Sequence, residues 1–419
     1  MSFSKKLDRA AFAISIALIA LLPFHAFLFT WLKSFFWTDA WTILIQAWKE
    51  ILVGILGVLA LVKLVSSRKF PRSRTFWLGL IFVISAILYA TFGSGIWTQK
   101  LLGLRTATLF LLAFLAVQFF DFDELNIERL KKIFLSAGGL VILFALAQKF
   151  LLPSDFLKYF GYSENVSSWQ PGGNLPIYHL VGESGQIRSQ ATFAGPNQLG
   201  AFLLLLLPVA LTEFWAKRKT KNFWPYFLGI EILGGILVLV WTFSRSAWLG
   251  AAVIFLLFAG KMWRRNLPAK IKKRLAFGAF AAISGIMILL FSNQNLGAII
   301  GRAASTGEHF TKSIQAAALV WAHPLGLGLG QTGGISQRFN HALTPENTFL
   351  GIALELGWLG GILFLVFLLS LALDLKKAGS EIFYALIGIT VIMFFLHPLE
   401  DAPTALSLFL LAGMVNSPK

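Results

Sequence analysis

The sequence predicts an all-α, polytopic membrane protein with about twelve transmembrane helices and two long external loops, the second partly helical. Three observations carry this. First, the 419 residues are 57% hydrophobic and only 13% charged, with a mean hydropathy of +0.74. That leaves too little polar surface for a soluble chain of this length. Second, apolar runs of spanning length recur from end to end. Third, basic residues gather in alternate short connections: Arg68-Lys69 with Arg72 and Arg74, Lys131-Lys132, Lys217-Arg218-Lys219, the stretch from Lys261 to Arg274, and Lys376-Lys377.

The approximate cores of the expected spans are 11–32, 43–65, 76–94, 103–120, 131–151, 197–215, 224–243, 246–262, 274–292, 346–371, 382–397 and 402–416. The first follows Lys5, Lys6 and Arg9, is longer than the apolar core of a cleavable signal and lacks a small-residue cleavage site, so it reads as a retained span. The last is short and led by Pro403. The alternating basic connections follow the positive-inside pattern, which puts both termini in the cytoplasm. A net charge of +17 so distributed serves topology and lipid headgroups, and no nucleic-acid partner is expected. The absence of cysteine excludes disulfides, cysteine-ligated metals, iron–sulfur clusters and thiol catalysis.

One integral membrane domain over residues 1–419 is expected, with two long external loops at about 153–196 and 293–345. Loops of that length imply function or internal structure. The first ends in Arg188-Ser189-Gln190-Ala191-Thr192-Phe193-Ala194-Gly195-Pro196-Asn197. The second holds an amphipathic stretch in which Phe310, Ile314, Ala317, Ala318 and Trp321 recur at helical spacing, opposed by Lys312 and Gln315. It reads as a helix lying on the membrane surface or over the bundle. The run His323-Pro324-Leu325-Gly326-Leu327-Gly328-Leu329-Gly330 follows; it lacks the Lys-Ser/Thr ending of a phosphate loop and fits close backbone packing or close approach to a ligand.

The candidate chemistry lies on the external side. Arg245 falls in a very short connection between two apolar spans, where an arginine is costly and usually paired or functional. Its planar fork suits phosphate oxygens; the plainer reading is a snorkelling side chain. Arg188 is placed to reach the same cavity, and Arg105 and Lys100, near the outer end of the fourth span, offer further positive charge. Thr344-Pro345-Glu346-Asn347 reads as a helix start, with Thr344 as N-cap, Pro345 at the first position and Glu346 in the first turn. Glu346 is then either a charge stabilising that helix end or a general base. His341 is the alternative base. His309, His323 and His341 are spaced unlike any local metal site, so no metal is expected. His25 and His397, toward span ends, read as structural hydrogen-bonding groups. Glu231 and Glu355 fall within spans, where carboxylates are expensive, and Glu50 is placed to pair with Lys49.

Taken in order, these segments resemble the O-antigen ligase and Wzy-type O-antigen polymerase superfamily. Arg188 with Phe193-Ala194-Gly195-Pro196-Asn197-Gln198-Leu199-Gly200 looks like the family's arginine and the segment opening a mid-chain span. Arg245-Ser246-Ala247-Trp248-Leu249 is similar to its R-x3-L motif, and His323-Pro324 with the glycines through Gly330 to its "hP-GvG" turn. Glu346-Asn347, nine residues, then Gly357-x-x-Gly360 keeps the spacing of H-[NSQ]-x9-G-x-x-G. Two positions depart: Glu346 stands where the family has histidine, and His309 where it often has arginine.

The resemblance implies a GT-C-like fold and a glycosyltransferase in the bacterial cytoplasmic (inner) membrane, independent of metal and cofactor. Its partners would be an undecaprenyl-diphosphate-linked glycan donor, a glycan or glycolipid acceptor, and membrane lipids. Arg245 and Arg188 would bind the diphosphate, with Arg302 or His309 assisting. Glu346 or His341 would act as base, and Asn197, Asn347, Gly357 and Gly360 would shape the site. The reading from a different class is a transporter or flippase for a lipid-linked or anionic substrate. It predicts polar residues lining a path through the bundle and inverted repeats, whereas no repeat is visible and the candidate charges cluster at one face.

Overall fold

A computed structural model describes residues 3–35, 39–164, 174–181, 185–264, 303–339 and 345–416. Among them the chain is almost entirely helical. The helices are α1 (Phe3–Leu21), α2 (His25–Lys33), α3 (Asp39–Ser67), α4 (Arg74–Phe92), α5 (Trp97–Val117), α6 (Glu124–Phe150), α7 (Pro196–Lys217), α8 (Trp224–Trp241), α9 (Arg245–Arg264), α10 (Ala303–Ala322), α11 (Gly333–Arg338), α12 (Thr348–Lys377), α13 (Ile382–Met393) and α14 (Ala402–Val415). The strands β1 (His179–Leu180) and β2 (Ile187–Arg188) form one short antiparallel ribbon. Among the described residues, eight helical stretches are long and apolar enough to cross a membrane; α13 and α14 are apolar but shorter. Every expected span except 274–292, which lies outside the described residues, falls on a helix.

The first span is not one straight helix. Pro23 sits in a 3-10 turn, Leu22–Phe24, between α1 and α2, as expected where a proline cannot donate to the helical ladder. The loop bound to it explains why the break is tolerated. Thr192 Oγ1 donates to Pro23 O at 2.6 Å, and Phe27 N to Thr192 O at 3.2 Å. The first long loop is thereby tied to the broken span.

The apolar side chains merge into one continuous core, centred on α5, α7, α13 and α14. Outward faces such as Ile230, Leu233, Leu359 and Leu369 remain exposed, as lipid-facing surfaces do. Polar links stitch the two ends of the bundle. At the end carrying the basic connections, Lys63 meets Asp8 at 2.6 Å and Asp121 at 3.2 Å, and Thr75 donates to Asp374 at 2.6 Å. Lys131 pairs with Glu381 and Lys217 with Glu128. Arg188, Arg245 and Glu346 occupy the opposite end.

The second long loop does contain a helix, α10, and it packs against α12. Among its described side chains Ala316 is buried, whereas Ile314 and Trp321 are exposed. The apolar stripe read from the sequence therefore faces outward over part of its length, and the smaller residue makes the close approach.

An unusual junction lies where α12 bends. Gly357 adopts φ 71°, a left-handed backbone that a residue with a Cβ strongly disfavours. The bend frees helix carbonyls, and the glycine-rich turn takes them up: Leu327 N donates to Leu354 O at 2.5 Å, Gly328 N to Glu355 O at 3.2 Å, and Trp358 N to Pro324 O at 3.0 Å. Such satisfaction is what a helix kink requires. Gly330 in turn packs on α5, where a Cβ on Gly103 would stand 2.3 Å from Gly330 N.

Candidate active site at the loop end of the bundle

The first cluster forms where the ribbon meets α7 and α9. Arg188 donates through Nε to Thr242 O at 2.8 Å and through Nη2 to Asn197 Oδ1 at 2.8 Å. Ser189 N donates to Trp241 O at 2.8 Å, fixing the strand to the end of α8. Three residues after Thr242, Arg245 opens α9 as an exposed side chain. The turn between them is tight enough to hold Phe243 at φ 49°. A Cβ on Gly200 would stand 2.8 Å from Ala247 Cβ, so the starts of α7 and α9 touch. Arg188, Asn197 and Arg245 thus share one helix junction.

His179, unremarked in the sequence, belongs to this junction. It is the cross-strand partner of Arg188, which puts both side chains on the same face of the ribbon. Its Nε2 lies 3.4 Å from Ala194 O. Burial, with Arg188 beside it, pulls its pKa below the ordinary histidine value, so the imidazole is neutral at pH 7. The signal available beforehand was weak: a histidine nine residues before the arginine, meaningful only once the two strands pair.

The second cluster surrounds Glu346. Here the expected helix start is corrected: the N-cap of α12 is Asn347, whose side chain accepts from Leu350 N at 3.0 Å. Pro345 and Glu346 therefore precede the helix, and Thr344 lies outside the described residues. Asn347 supplies an acceptor for an otherwise orphaned N–H, and the contact of its Nδ2 with Phe394 O at the end of α13 favours this start over the proline one. The backbone around Glu346 is held on both sides, since His397 Nε2 bonds to Pro345 O and Asn347 Nδ2 donates to Phe394 O at 3.3 Å. The carboxylate itself faces α10, with Lys312 Nζ 3.3 Å away. His397 is structural, as its position suggested; so is His25, which accepts from Trp48 Nε1 at 3.0 Å.

The two clusters are joined through α13, which packs on α7 and α9 and ends at the carbonyl that Asn347 contacts. Gly250 and Gly388 meet where α9 and α13 cross. Counting five residues outward from each brings Arg245 level with the end of α13. Gly357 and Gly360 lie deeper in α12, at the bend. Arg302 and His341 lie outside the described residues, as does the side chain of His309.

A third group of charges was legible only in fragments. Arg105 Nε reaches Glu50 Oε1 at 2.7 Å, Lys49 Nζ lies 3.3 Å from the same oxygen, and Lys49 meets His25 Nε2 at 2.9 Å. Glu50 is therefore shared between two cations instead of pairing with Lys49 alone. Beside this group a cavity opens between α5, α11 and the α13–α14 turn, lined by Thr106, Phe110, Glu355, His397 and Glu400. A second hollow shares Thr106, Phe110 and Glu400 with it and adds Arg105. Glu355 has a defined local role, because its Oε1 accepts from Gly330 N at 3.1 Å, Thr332 N at 3.2 Å and Thr332 Oγ1 at 2.9 Å. Glu231 is buried in α8 with neither oxygen hydrogen-bonded among the described residues.

Fold and geometry together define a polytopic all-α membrane protein with arginines and a carboxylate at the helix starts of one end. Residues 228–365 match the family model described as O-antigen ligase, a region that takes in Arg245, the glycine-rich turn, Glu346 and the α12 bend. The chain is also 24% identical over 388 residues to the ComP-specific O-oligosaccharyltransferase of Acinetobacter baylyi (strain ATCC 33305 / BD413 / ADP1). That alignment covers 86% of this chain and 64% of the relative, so the chain spans less than two thirds of the relative's length. Over residues 228–365 the chain is similar to the O-antigen ligase family, and along most of its length to a protein named as an oligosaccharyltransferase.

Proposed function

We propose that this protein transfers a glycan from an undecaprenyl-diphosphate-linked donor to an acceptor hydroxyl at the outer face of the cytoplasmic membrane. The observation that carries the reading is the junction of Arg188, Asn197 and Arg245. Two guanidinium groups stand at helix ends on the side away from the basic connections, and the carbonyl of Thr242 and the amide of Asn197 fix the aim of one of them. Planar, permanently charged donors in that setting suit a diphosphate. They also offset the charge that develops on it as it leaves.

In this scheme Glu346 takes the proton from the acceptor hydroxyl. The acceptor oxygen bonds to the anomeric carbon as the bond from that carbon to the diphosphate oxygen breaks. The leaving undecaprenyl diphosphate keeps the electron pair, and the arginines hold it. Lys312 keeps the carboxylate positioned, and the hydrogen bonds to Pro345 and Asn347 restrain the backbone that carries it. The relative's name specifies O-linked transfer of an oligosaccharide, which agrees with an oxygen acceptor. The transporter reading loses one support, because Glu355 is engaged in bracing the glycine-rich turn.

The test is donor consumption by the full chain in lipid nanodiscs, with a lipid-linked oligosaccharide and a set of hydroxyl acceptors. Arg245→Ala and Arg188→Ala are each expected to slow transfer by about 10²-fold or more, the scale of losing one transition-state charge donor. Full turnover in both variants would remove the arginines from the reaction.

A further inference from the structure

We infer that the cavity beside the α13–α14 turn is a carbohydrate subsite, taking the hydroxyl edge of a pyranose ring next to Glu346. The inference rests on the transferase reading for its purpose, but its evidence is the cavity itself. The free volume is about 50 Å³, so it admits the edge of a ring and not a whole glycan. The lining offers hydrogen-bonding groups of both kinds: the carboxyl groups of Glu355 and Glu400, the Thr106 hydroxyl, and Arg105 in the adjoining hollow. Apolar side chains, Phe110 among them, share the lining. A sugar ring matches both, since its hydroxyls donate to carboxylates and accept from cations while its C–H face packs on an apolar side chain.

Two details favour a ligand over a merely structural polar patch. All three hydrogen bonds to Glu355 fall on Oε1, which leaves Oε2 for the cavity the residue lines. Glu400 is held only loosely, at 3.7 Å from His397 Nδ1 and 3.5 Å from Gly334 N. Position also matters: His397 lines the cavity with its ring while binding the carbonyl of Pro345, the residue before Glu346. A ring seated here would bring a neighbouring hydroxyl toward that carboxylate. Arg188 and Arg245 lie across α13, at a separate junction, so the subsite does not duplicate the proposed diphosphate contacts.

The chain has no cysteine, which makes single-cysteine labelling clean. Ala107→Cys and Ile335→Cys report from the two walls formed by α5 and α11, and Gln337→Cys, exposed and outside the cavity, is the control. The full chain in nanodiscs is alkylated with a small thiol reagent in the presence of glucose, galactose, N-acetylglucosamine, N-acetylgalactosamine or the open-chain polyol mannitol. At least one pyranose is expected to slow labelling at both walls by a factor near 1 + [sugar]/Kd, about tenfold at ten times Kd, without slowing the control. Glu400→Gln in the same background should abolish protection, read as the ratio of labelling rates with and without sugar in that variant. Protection by mannitol equal to that by every sugar, no protection by any sugar, or protection that survives Glu400→Gln would each overturn the subsite. Because no turnover is measured, such a failure leaves the transferase reading standing, and loss of transferase activity would leave the subsite standing.

Discussion

At the scale of single residues, the arginines and the carboxylate differ in how they are held. Arg188 is locked by two hydrogen bonds of 2.8 Å, so Arg188→Lys should lose most of its function: a lysine cannot span both acceptors with one planar fork. Donor affinity measured on Arg188→Lys and Arg188→Ala should fall alike, and full affinity in the lysine variant would show that charge alone suffices. Asn347 caps α12 and fixes Glu346, so Asn347→Ala should cost about 1 kcal/mol of stability, read as a lowered thermal midpoint in detergent. Asp401 caps α14 through Thr404, and burial pushes its pKa up from 3.8 to about 6. A carboxyl whose folded pKa is raised stabilises most when protonated. Its contribution is therefore present below pH 4 and lost as pH rises through about 6. Thermal midpoints between pH 4 and 6 should fall with rising pH, and Asp401→Asn, which keeps the cap, should remove that part of the slope. The identity of Asn347 as cap was hidden in the sequence because Thr344-Pro345 offers an equally good local start; only the contact with α13 decides between them.

At the scale of elements, the glycine-rich turn and the α12 bend are two halves of one joint. The turn supplies N–H donors to the carbonyls that the bend exposes, and Gly357 leaves no room for a side chain, since a Cβ there would stand 2.5 Å from Pro324 O. Gly357→Ala should destabilise by at least about 2 kcal/mol through left-handed strain and overpacking, whereas Gly54→Ala in α3, with nothing within 4 Å, should be neutral or slightly stabilising. Equal thermal midpoints for the two variants would contradict the joint. The joint was half legible: the glycine density announced close packing, but its partner in α12 and the bracing role of Glu355 depend on contacts between segments about thirty residues apart. The amphipathic helix shows the opposite case. Periodicity found α10, yet membrane surroundings let its large apolar residues face outward, so the buried side fell to Ala316.

At the scale of the whole molecule, hydropathy carried the architecture, because apolar runs of about twenty residues satisfy their backbone within lipid as helices, whereas barrel strands are about half that length. The same regularity places the described basic connections at one end and Arg188, Arg245 and Glu346 at the other. Thiol labelling of single cysteines in sealed, right-side-out cells should reach Gln337→Cys in the loop end but not Lys219→Cys in a basic connection; the reverse would invert the proposed orientation. What the sequence left dark was the meeting of distant charges, such as Arg105 with Glu50 or His179 with Arg188, which needs the bundle to be assembled. The central claim, that the arginines bind the donor while Glu346 performs the proton transfer, is tested most directly by measuring donor affinity and single-turnover transfer in parallel for Arg245→Ala and Glu346→Gln. The account predicts that Arg245→Ala weakens donor binding and slows transfer, whereas Glu346→Gln binds donor as the parent does and transfers at least about 10²-fold more slowly. Unimpaired transfer by Glu346→Gln would contradict it.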